Sequence, residues 1–206
     1  MAPNVTVGAI LAGGLARRMG GGDKGVRRIG GQTLIALIAA RLRPQTAALV
    51  LNANGDPSRL SGHNLPVVAD SVAGNPGPLA GVLAGLDWAA ATHPAVEWLV
   101  TVPCDTPFIP HDLVARLHAV RIEARATLGT ACSQGRMHPV IGLWPVALRA
   151  ALRRSIAADG VRRVERFASG YSCACVAWDE EPDPFTNINT EADLAAAASA
   201  RERSGV

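Results

Sequence analysis

The sequence has 206 residues, and its 20 Lys and Arg against 17 Asp and Glu leave a net charge of only +3 at pH 7. This small surplus and an aromatic content of 4% argue against a nucleic-acid binding surface. No apolar run reaches the roughly 18 residues of a membrane span, and the N-terminal residues lack the pattern of a secretory signal. We therefore expect a cytoplasmic protein with one domain over residues 1–206 and with neither nucleic-acid nor membrane partners.

Short apolar runs alternate with helical patterns along the chain. Strands are predicted at residues 5–11, 47–51, 65–69, 98–102, 126–131, 139–143 and 171–177. Helices are predicted at residues 33–43, 79–86, 112–120, 146–158 and 161–167, with a last one after Thr190. This alternation predicts an α/β fold in which helices cover both faces of a mainly parallel sheet. Ligands of such sheets bind beyond the carboxyl ends of the strands.

A glycine-rich segment from Leu11 to Gly25 follows the first predicted strand and contains Lys24, the only lysine of the chain. Glycines let the backbone approach a ligand closely, while N–H groups and cations face its anionic part, so the segment favours polyphosphate binding. It is neither a Walker A loop, since Gly25 follows Lys24, nor a G-x-G-x-x-G motif. A flexible surface loop is the alternative interpretation.

Two aspartates follow predicted strands. Asp105 lies in Pro-Cys-Asp-Thr-Pro, where two prolines restrict the backbone, and a fixed carboxylate beside a phosphate loop is what Mg²⁺ requires. An Asp that caps the next turn is the alternative. Asp70 ends another strand and is equally compatible with a binding role or a solvent-facing turn.

Several amide and imidazole side chains are further candidates. Asn52 could bind a base or ribose, or belong to an Asn-x-Asn-Gly turn. Asn187 and Asn189 precede the last helix, which a capping box of Thr190 and Asp193 is predicted to open. His138 could reach a cleft, or it could be an ordinary core or surface histidine.

The four cysteines do not form a disulfide framework by their spacing, and we interpret Cys173 and Cys175 as small buried side chains on one strand face. No G-x-S-x-G or H-E-x-x-H motif is present, which disfavours covalent catalysis. Residues 71–78 are rich in Gly and Pro and are predicted to form a mobile flap over a bound substrate.

Five motifs, in chain order, together resemble those of the molybdenum cofactor guanylyltransferases. They are Leu-Ala-Gly-Gly-x-x-Arg-Arg-Met-Gly-Gly-x-Asp-Lys-Gly, Asn-Ala-Asn, Pro-Gly-Pro-Leu-Ala-Gly, Pro-Cys-Asp-Thr-Pro-Phe-Ile-Pro and Asn-Ile-Asn-Thr-x-x-Asp-Leu, between Gly8 and Leu194. The resemblance implies a Rossmann-like three-layer sandwich of the nucleotidyltransferase type. It also implies transfer of GMP from GTP to molybdopterin, with release of pyrophosphate.

The resemblance also implies roles for individual residues. GTP contacts are expected at Leu11, Ala12, Gly13, Lys24, Asn52, Asp70 and Asp105. Asp105 is expected to bind Mg²⁺ and, with Lys24 and Arg18, to be catalytic. The acceptor side is expected at Arg136, His138, Asn187 and Asn189. Implied partners are GTP, molybdopterin, cofactor-delivery proteins and molybdoenzyme acceptors, with the protein itself a monomer.

Two other functions remain open on the residues alone. One is a related nucleotidyltransferase that uses CTP or a sugar phosphate, which nucleotide-dependent thermal stabilisation would reveal. The other is a carrier that binds GTP or a pterin without turnover. A nucleic-acid binder ranks last because of the small charge surplus.

Overall fold

Nine strands form the β structure of the described part of this computed structural model, which comprises residues 6–13, 23–72 and 77–204. They are β1 (Thr6–Leu11), β2 (Arg28–Ile29), β3 (Gln32–Thr33), β4 (Leu49–Asn52), β5 (Val67–Val68), β6 (Trp98–Pro103), β7 (Leu128–Ser133), β8 (Arg136–Pro145) and β9 (Cys173–Ala177). Seven of them form one sheet in the order β5-β4-β1-β6-β8-β7-β9, and β2 pairs with β3 in a separate hairpin.

The strands of the large sheet run in one direction except for β8. Strands β5, β4, β1 and β6 are parallel neighbours, and β7 is parallel to β9. Strand β8 lies between β6 and β7 and is antiparallel to both. Six carboxyl ends and the amino end of β8 therefore meet at one edge. The predicted mainly parallel sheet is confirmed.

The described ranges also contain six α-helices. They are α1 (Leu34–Leu42), α2 (Pro78–Thr92), α3 (Leu113–Glu123), α4 (Arg149–Ala157), α5 (Val164–Ala168) and α6 (Glu191–Ser204). Helices α1 and α3 pack on the sheet face that contains Ile10, and α2, α4 and α5 pack on the face that contains Val7 and Leu11. This arrangement confirms the three-layer sandwich. None of the helices in the described ranges is long and apolar enough to cross a membrane.

The segment that leads into α6 lies at the carboxyl edge of the sheet. The Thr190 hydroxyl accepts the Asp193 N–H at 3.1 Å, and the Asp193 carboxylate accepts the Thr190 N–H at 2.8 Å, which confirms the predicted capping box. Just before it, the Ile188 N–H donates to the Asp105 carbonyl at 2.8 Å, and Ile188 packs with Leu194 against the β2–β3 hairpin. Residues 187–189 are thereby held against the end of β6.

Two glycines allow α2 to lie close to the sheet. A Cβ at Gly81 would lie 2.4 Å from Asn52 Oδ1, and one at Gly85 would lie 2.9 Å from a Leu99 methyl. Any larger side chain would force the helix and the sheet apart. The amino-terminal end of α2 is consequently fixed beside the end of β4.

Strand β8 departs from regular pairing, which the sequence does not predict. In β7, Thr130 pairs with Gly142 of β8, but the next residue, Ala131, pairs with His138. Residues 139–141 of β8 therefore have no pairing partner in β7. We call residues 139–141 the β8 bulge. The buried hydroxyls of Thr101 and Thr130 donate to carbonyl groups in and beside it. The bulge is therefore fixed by internal hydrogen bonds.

The interpretation of Cys173 and Cys175 as buried side chains is wrong. They do share one face of β9, but both are exposed, and Cys175 forms a disulfide with Cys132 of β7 with 6.1 Å between the Cα atoms. The reason is the position of β9 at the edge of the sheet: α3 covers only the face on which Ala174 is buried. Alternation in the strand indicates a shared face but not whether a helix covers it.

Candidate active site

The end of β1 lies between the ends of β4 and β6 at the carboxyl edge. The Ala12 N–H donates to the Asn52 carbonyl at 2.8 Å, and the Cys104 N–H donates to the Leu11 carbonyl at 3.0 Å. Leu11 and Ala12 are buried, whereas Gly13 is exposed at the surface. Two of the predicted nucleotide contacts, Leu11 and Ala12, are thus held between β4 and β6, and Gly13 follows them at the edge where α/β folds bind ligands.

Lys24 meets Asp105 directly. Its ammonium donates to Asp105 Oδ2 at 2.7 Å and to Asn189 Oδ1 at 2.6 Å. The lysine is only 9% exposed, and 22% of the aspartate side chain is accessible. The predicted proximity of these two residues is confirmed. Opposite charges at this distance, partly shielded from water, fix each other's position.

The asparagines before α6 belong to this same centre. The Thr106 hydroxyl donates to Asn187 Oδ1 at 3.0 Å, and Asn189 accepts from Lys24. The Asp193 carboxylate accepts the Asn189 N–H, and this hydrogen bond lowers the pKa of Asp193. Sequence reasoning assigned the asparagines to the acceptor side and gave no role to Thr106. The structure places both asparagines and Thr106 beside Lys24 and Asp105, the residues predicted to contact the nucleotide.

A second cluster lies at the end of β4. The buried Asn52 amide donates to the Val68 carbonyl at 3.2 Å and to Asp70 Oδ1 at 3.0 Å. Asn54 donates to Asp70 Oδ2 at 2.8 Å and accepts the Asp70 N–H at 2.8 Å. Both hydrogens of the Asn52 amide are therefore used within the protein. Two amides therefore hold the Asp70 side chain in position.

Arg59 connects the two clusters and was not singled out from the sequence. Its guanidinium forms an ion pair with Asp23, the residue before Lys24, and donates to the carbonyls of Asn54 and Asp56 at 2.6 Å. Arg59 and Asp23 are 36 residues apart in the chain, so no local spacing in the sequence indicates their ion pair. Arg59 thereby fixes the residue that enters the Lys24 turn against the loop after β4.

His138 lies farther along the edge, at the start of β8. Its Nε2 is 2.7 Å from the Ser133 hydroxyl, and its ring packs on Phe185 with 5.0 Å between ring centroids. Burial lowers the pKa of His138, which the nearby Asp183 partly offsets. The imidazole is therefore mostly neutral at pH 7. Arg136 is exposed on the same strand.

Residues 8–183 match the family model of the MobA-like NTP transferase domain. The chain belongs to this family. A Rhodopseudomonas palustris protein named molybdenum cofactor guanylyltransferase is 57% identical over 91% of this chain and 88% of its own length. A Nitrobacter hamburgensis protein of the same name is 53% identical over 93% of this chain and 92% of its own length.

Solved structures share the fold of this family member. Molybdopterin-guanine dinucleotide biosynthesis protein A from Archaeoglobus fulgidus superposes with a TM-score of 0.76 at 22% identity, covering 96% of this chain and 99% of its own. A 4-diphosphocytidyl-2C-methyl-D-erythritol synthase from Anaerococcus prevotii superposes with a TM-score of 0.72 at 14% identity, covering 98% and 97%. Proteins named for different nucleotides thus share this architecture, so the fold alone does not identify the nucleotide.

The oxygen atoms beside Asp105 are of the chemical type that Mg²⁺ takes as ligands. These oxygens belong to Asp105, Thr106, Asn187 and Asn189, and the Lys24 ammonium donates to two of them, Asp105 Oδ2 and Asn189 Oδ1. Within the described ranges, no group of three or more His, Cys, Asp or Glu could hold a metal. Mg²⁺ suits such a site, because it takes one or two carboxylates and completes its coordination with phosphates and water.

The neighbouring thiol does not provide a nucleophile. Cys104 is buried, and burial together with the adjacent Asp105 charge raises its pKa to about 12. A thiol with this pKa carries almost no thiolate at pH 7. The sequence-based expectation of non-covalent chemistry therefore agrees with this side chain.

Two predicted features fall partly on residues that the structure does not describe. Arg18 lies among residues 14–22, outside the described ranges, and so do residues 73–76 of the predicted flap. At the start of that flap, the Ser71 hydroxyl donates to Asp87 at 2.8 Å and Val72 packs against the apolar core on the α2 face. This end of the segment has an apolar contact that sequence reasoning did not anticipate.

Proposed function

We propose that the protein transfers GMP from GTP to the terminal phosphate of molybdopterin, forming molybdopterin guanine dinucleotide and releasing pyrophosphate. The supporting observation is the contact of Lys24 with Asp105 beside the end of β1, in a chain whose relatives at 45–57% identity are named molybdenum cofactor guanylyltransferase. A positive charge and a carboxylate held at the ligand-binding edge are what a nucleotidyl transfer requires.

GTP would bind across the two clusters. The backbone of Leu11, Ala12 and Gly13 and the Lys24 ammonium would hold the phosphates, since they present polar groups at the end of β1. The Asp70 carboxylate, held by Asn52 and Asn54, offers acceptor oxygens to N–H or hydroxyl groups of the nucleoside. In this arrangement Asn52 acts mainly by positioning Asp70.

The reaction would not need a general base. The attacking group is a phosphate monoester whose second pKa is about 6, so it is already mostly a dianion at pH 7. An oxygen of this dianion attacks the α-phosphorus of GTP, and the bond to the bridging oxygen of pyrophosphate breaks. The main obstacle is repulsion between two anions, which Lys24 and Arg18 would reduce while Asp105 keeps Lys24 oriented.

Asp105 would also hold Mg²⁺, with the amide oxygens of Asn187 and Asn189 nearby. Bound Mg²⁺ would supply additional positive charge at the transferred phosphate. The chain's own contribution is the rigid position of the Asp105 carboxylate, which is attached to the end of β6 and braced by Ile188.

The acceptor would extend from Asn187 and Asn189 toward Arg136 and His138. A cationic side chain at Arg136 suits an anionic acceptor. GTP as the donor favours a cytoplasmic location. Cofactor-delivery proteins and molybdoenzymes would bring the substrate and receive the product, and the protein would act as a monomer.

Pyrophosphate release with each nucleoside triphosphate, with and without molybdopterin, tests this function. We expect release only with GTP, Mg²⁺ and molybdopterin together. Release with CTP but not with GTP would replace the proposed donor. Tight GTP binding with no pyrophosphate under any condition would identify a carrier instead of an enzyme.

A further inference from the structure

A cavity of about 550 Å³ lies on the α5 side of the sheet, and none of the residues around Lys24 and Asp105 lines it. Its walls come from β7, β8, β9 and α5, and they include Thr130, Met137, Pro139, Trp144, Glu165 and Tyr171. Most of the wall is apolar, with one carboxylate and a few hydroxyl groups. This composition and size are typical of small-molecule sites.

The β8 bulge shapes the cavity. The Trp144 indole N–H donates to the Thr101 hydroxyl at 2.9 Å, and that hydroxyl donates to the Val140 carbonyl at 2.6 Å. Thr130 supports the carbonyls of His138 and Ile141 from the other strand. Because these bonds lie in the interior, Pro139 and Trp144 are fixed as a wall. A ligand would therefore meet a preformed surface at low entropic cost.

Helix α2 lies between the Asn52–Asp70 cluster and the segment that leads into α5. An added Cβ would lie 2.4 Å from Asn52 Oδ1 at Gly81 of this helix and 3.3 Å from the Arg162 carbonyl at Gly77, and Arg162 comes two residues before α5. The amino-terminal end of α2 thus lies between the Asn52–Asp70 cluster and the residues just before α5. Met137, which lines the cavity, pairs with Cys132, one residue before the carboxyl end of β7. A ligand in the cavity could therefore extend to the carboxyl edge.

We infer that this cavity binds the pterin ring system of the acceptor, an inference that rests on the proposed function. A pterin is a flat fused heterocycle, and its faces suit the apolar walls formed by Pro139, Trp144 and Tyr171. Its pyrimidinone edge carries an amino group and a ring N–H. These two donors match the two oxygens of the Glu165 carboxylate.

In this site the pterin ring would not contact His138. Met137 and Pro139 line the cavity, whereas His138 between them packs on Phe185, in the core on the α1 and α3 face. The pterin ring and the His138 imidazole therefore lie on opposite faces of the sheet. His138 remains close enough to the edge to contact the phosphorylated arm.

Binding of free pterin, followed by its fluorescence, tests the site without any turnover. Ala168→Leu fills the cavity from α5, and Cys173→Leu fills it from β9. We expect each variant to weaken pterin binding at least tenfold and to raise the KM for molybdopterin, with the Kd for GTP within twofold of wild type. Ala115→Leu, on the exposed face of α3, is the matched control and should bind pterin normally. Two variants on opposite walls keep the test valid if one of them fails to fold.

The Glu165 contact has its own test. Glu165→Gln should weaken pterin binding about tenfold, whereas Glu123→Gln on α3 should not change it. Normal pterin binding by both folded cavity variants, or no pterin binding by wild type, would overturn the assignment. If His138→Gln alone weakened binding, the ring would lie on the other face of the sheet.

The outcomes for the cavity and for the overall reaction are distinguishable. Pyrophosphate release with normal KM in the cavity variants would remove the pterin site and leave the transferase function intact. If wild type bound pterin but released no pyrophosphate, and the cavity variants lost pterin binding, the pterin site would stand and the proposed transferase function would be wrong.

Discussion

The Lys24 ammonium lies 2.7 Å from the Asp105 carboxylate, although 81 residues separate them in the chain. A second acceptor, Asn189 Oδ1, lies 2.6 Å from the same ammonium. A compact charge with three donors suits two acceptors at such short range, whereas a planar guanidinium does not. This geometry gives a physical reason for a single lysine in a chain with 19 arginines.

Asp105→Asn should reduce turnover by about 10²-fold or more, with only a modest loss of GTP affinity. The amide keeps the shape and one hydrogen bond to Lys24, but it removes the negative charge that orients Lys24 and would hold the metal. Steady-state rates of pyrophosphate release and the Kd for GTP measure the two effects separately. Asp159→Asn, on an exposed loop, is the control. Near-normal turnover in Asp105→Asn would remove this carboxylate from the mechanism.

Lys24→Arg should also reduce turnover by roughly 10²-fold, because the longer planar group would displace Asp105 or Asn189 from their present positions. The net charge is unchanged, so a loss of activity would report geometry and not charge. Rates for wild type, Lys24→Arg and Arg27→Lys should be compared at saturating GTP. Equal rates for Lys24→Arg and wild type would mean that only the positive charge matters.

Gly81→Ala should destabilise the fold by about 1–3 kcal/mol, since the new methyl group would lie 2.4 Å from Asn52 Oδ1. The shift of Asn52 should also raise the KM for GTP, because Asn52 holds Asp70. Urea unfolding and GTP kinetics measure the two effects. Gly62→Ala is the matched control, as a Cβ there meets nothing within 4 Å. Equal stability of the two variants would contradict the close packing of α2.

Parts of the fold that depend on local pattern could be predicted from the sequence. The apolar runs indicate β1, β4 and β6, and the Thr190–Asp193 pair indicates the start of α6. Polar side chains at strand ends indicate one edge, so the meeting of Lys24 and Asp105 followed from the parallel sheet. The direction of β8 did not follow, because an apolar run does not record whether its strand is parallel or antiparallel.

Features that depend on tertiary pairing could not be predicted. The use of both Asn52 amide hydrogens depends on Val68 and Asp70, which the turn sequence does not reveal. The β8 bulge depends on hydroxyls of Thr101 and Thr130 in neighbouring strands. The exposure of Cys173 depends on the position of β9 at the edge of the sheet. Each of these is set by a partner distant in sequence.

Arg59→Gln should raise the KM for GTP several-fold with little change in kcat. The variant loses the ion pair with Asp23 and the bonds to Asn54 and Asp56, which join the Lys24 turn to the Asp70 cluster. Because Arg59 does not contact Lys24 or Asp105 in any of these bonds, it would act as a positioning residue. Arg154→Gln, exposed on α4, is the control. A loss confined to kcat would place Arg59 near the reacting groups instead.

Stability should fall as the pH falls from about 6.5 to 4, and His118 should account for much of the change. This histidine is 5% exposed at the other end of the sheet, with Nε2 2.8 Å from the Thr6 hydroxyl. Burial, followed by the charge of Arg121, lowers its pKa from 6.5 to about 4. Because the folded-state pKa lies below the unfolded one, the stabilising contribution is complete above pH 6.5 and is lost toward pH 4.

The contribution of His118 at neutral pH is of order 3 kcal/mol for a shift of this size. Urea unfolding at pH 7.5, 5.5 and 4.5 should show a steep loss in wild type and a shallower one in His118→Gln, which cannot gain a proton. Burial also lowers the pKa of His63 and of His138. These two residues therefore add the same pH dependence of stability to wild type and to His118→Gln. His111→Gln, at an exposed position, should retain the wild-type slope. If His118→Gln lost stability as steeply as wild type, the proton uptake would have to occur at another group.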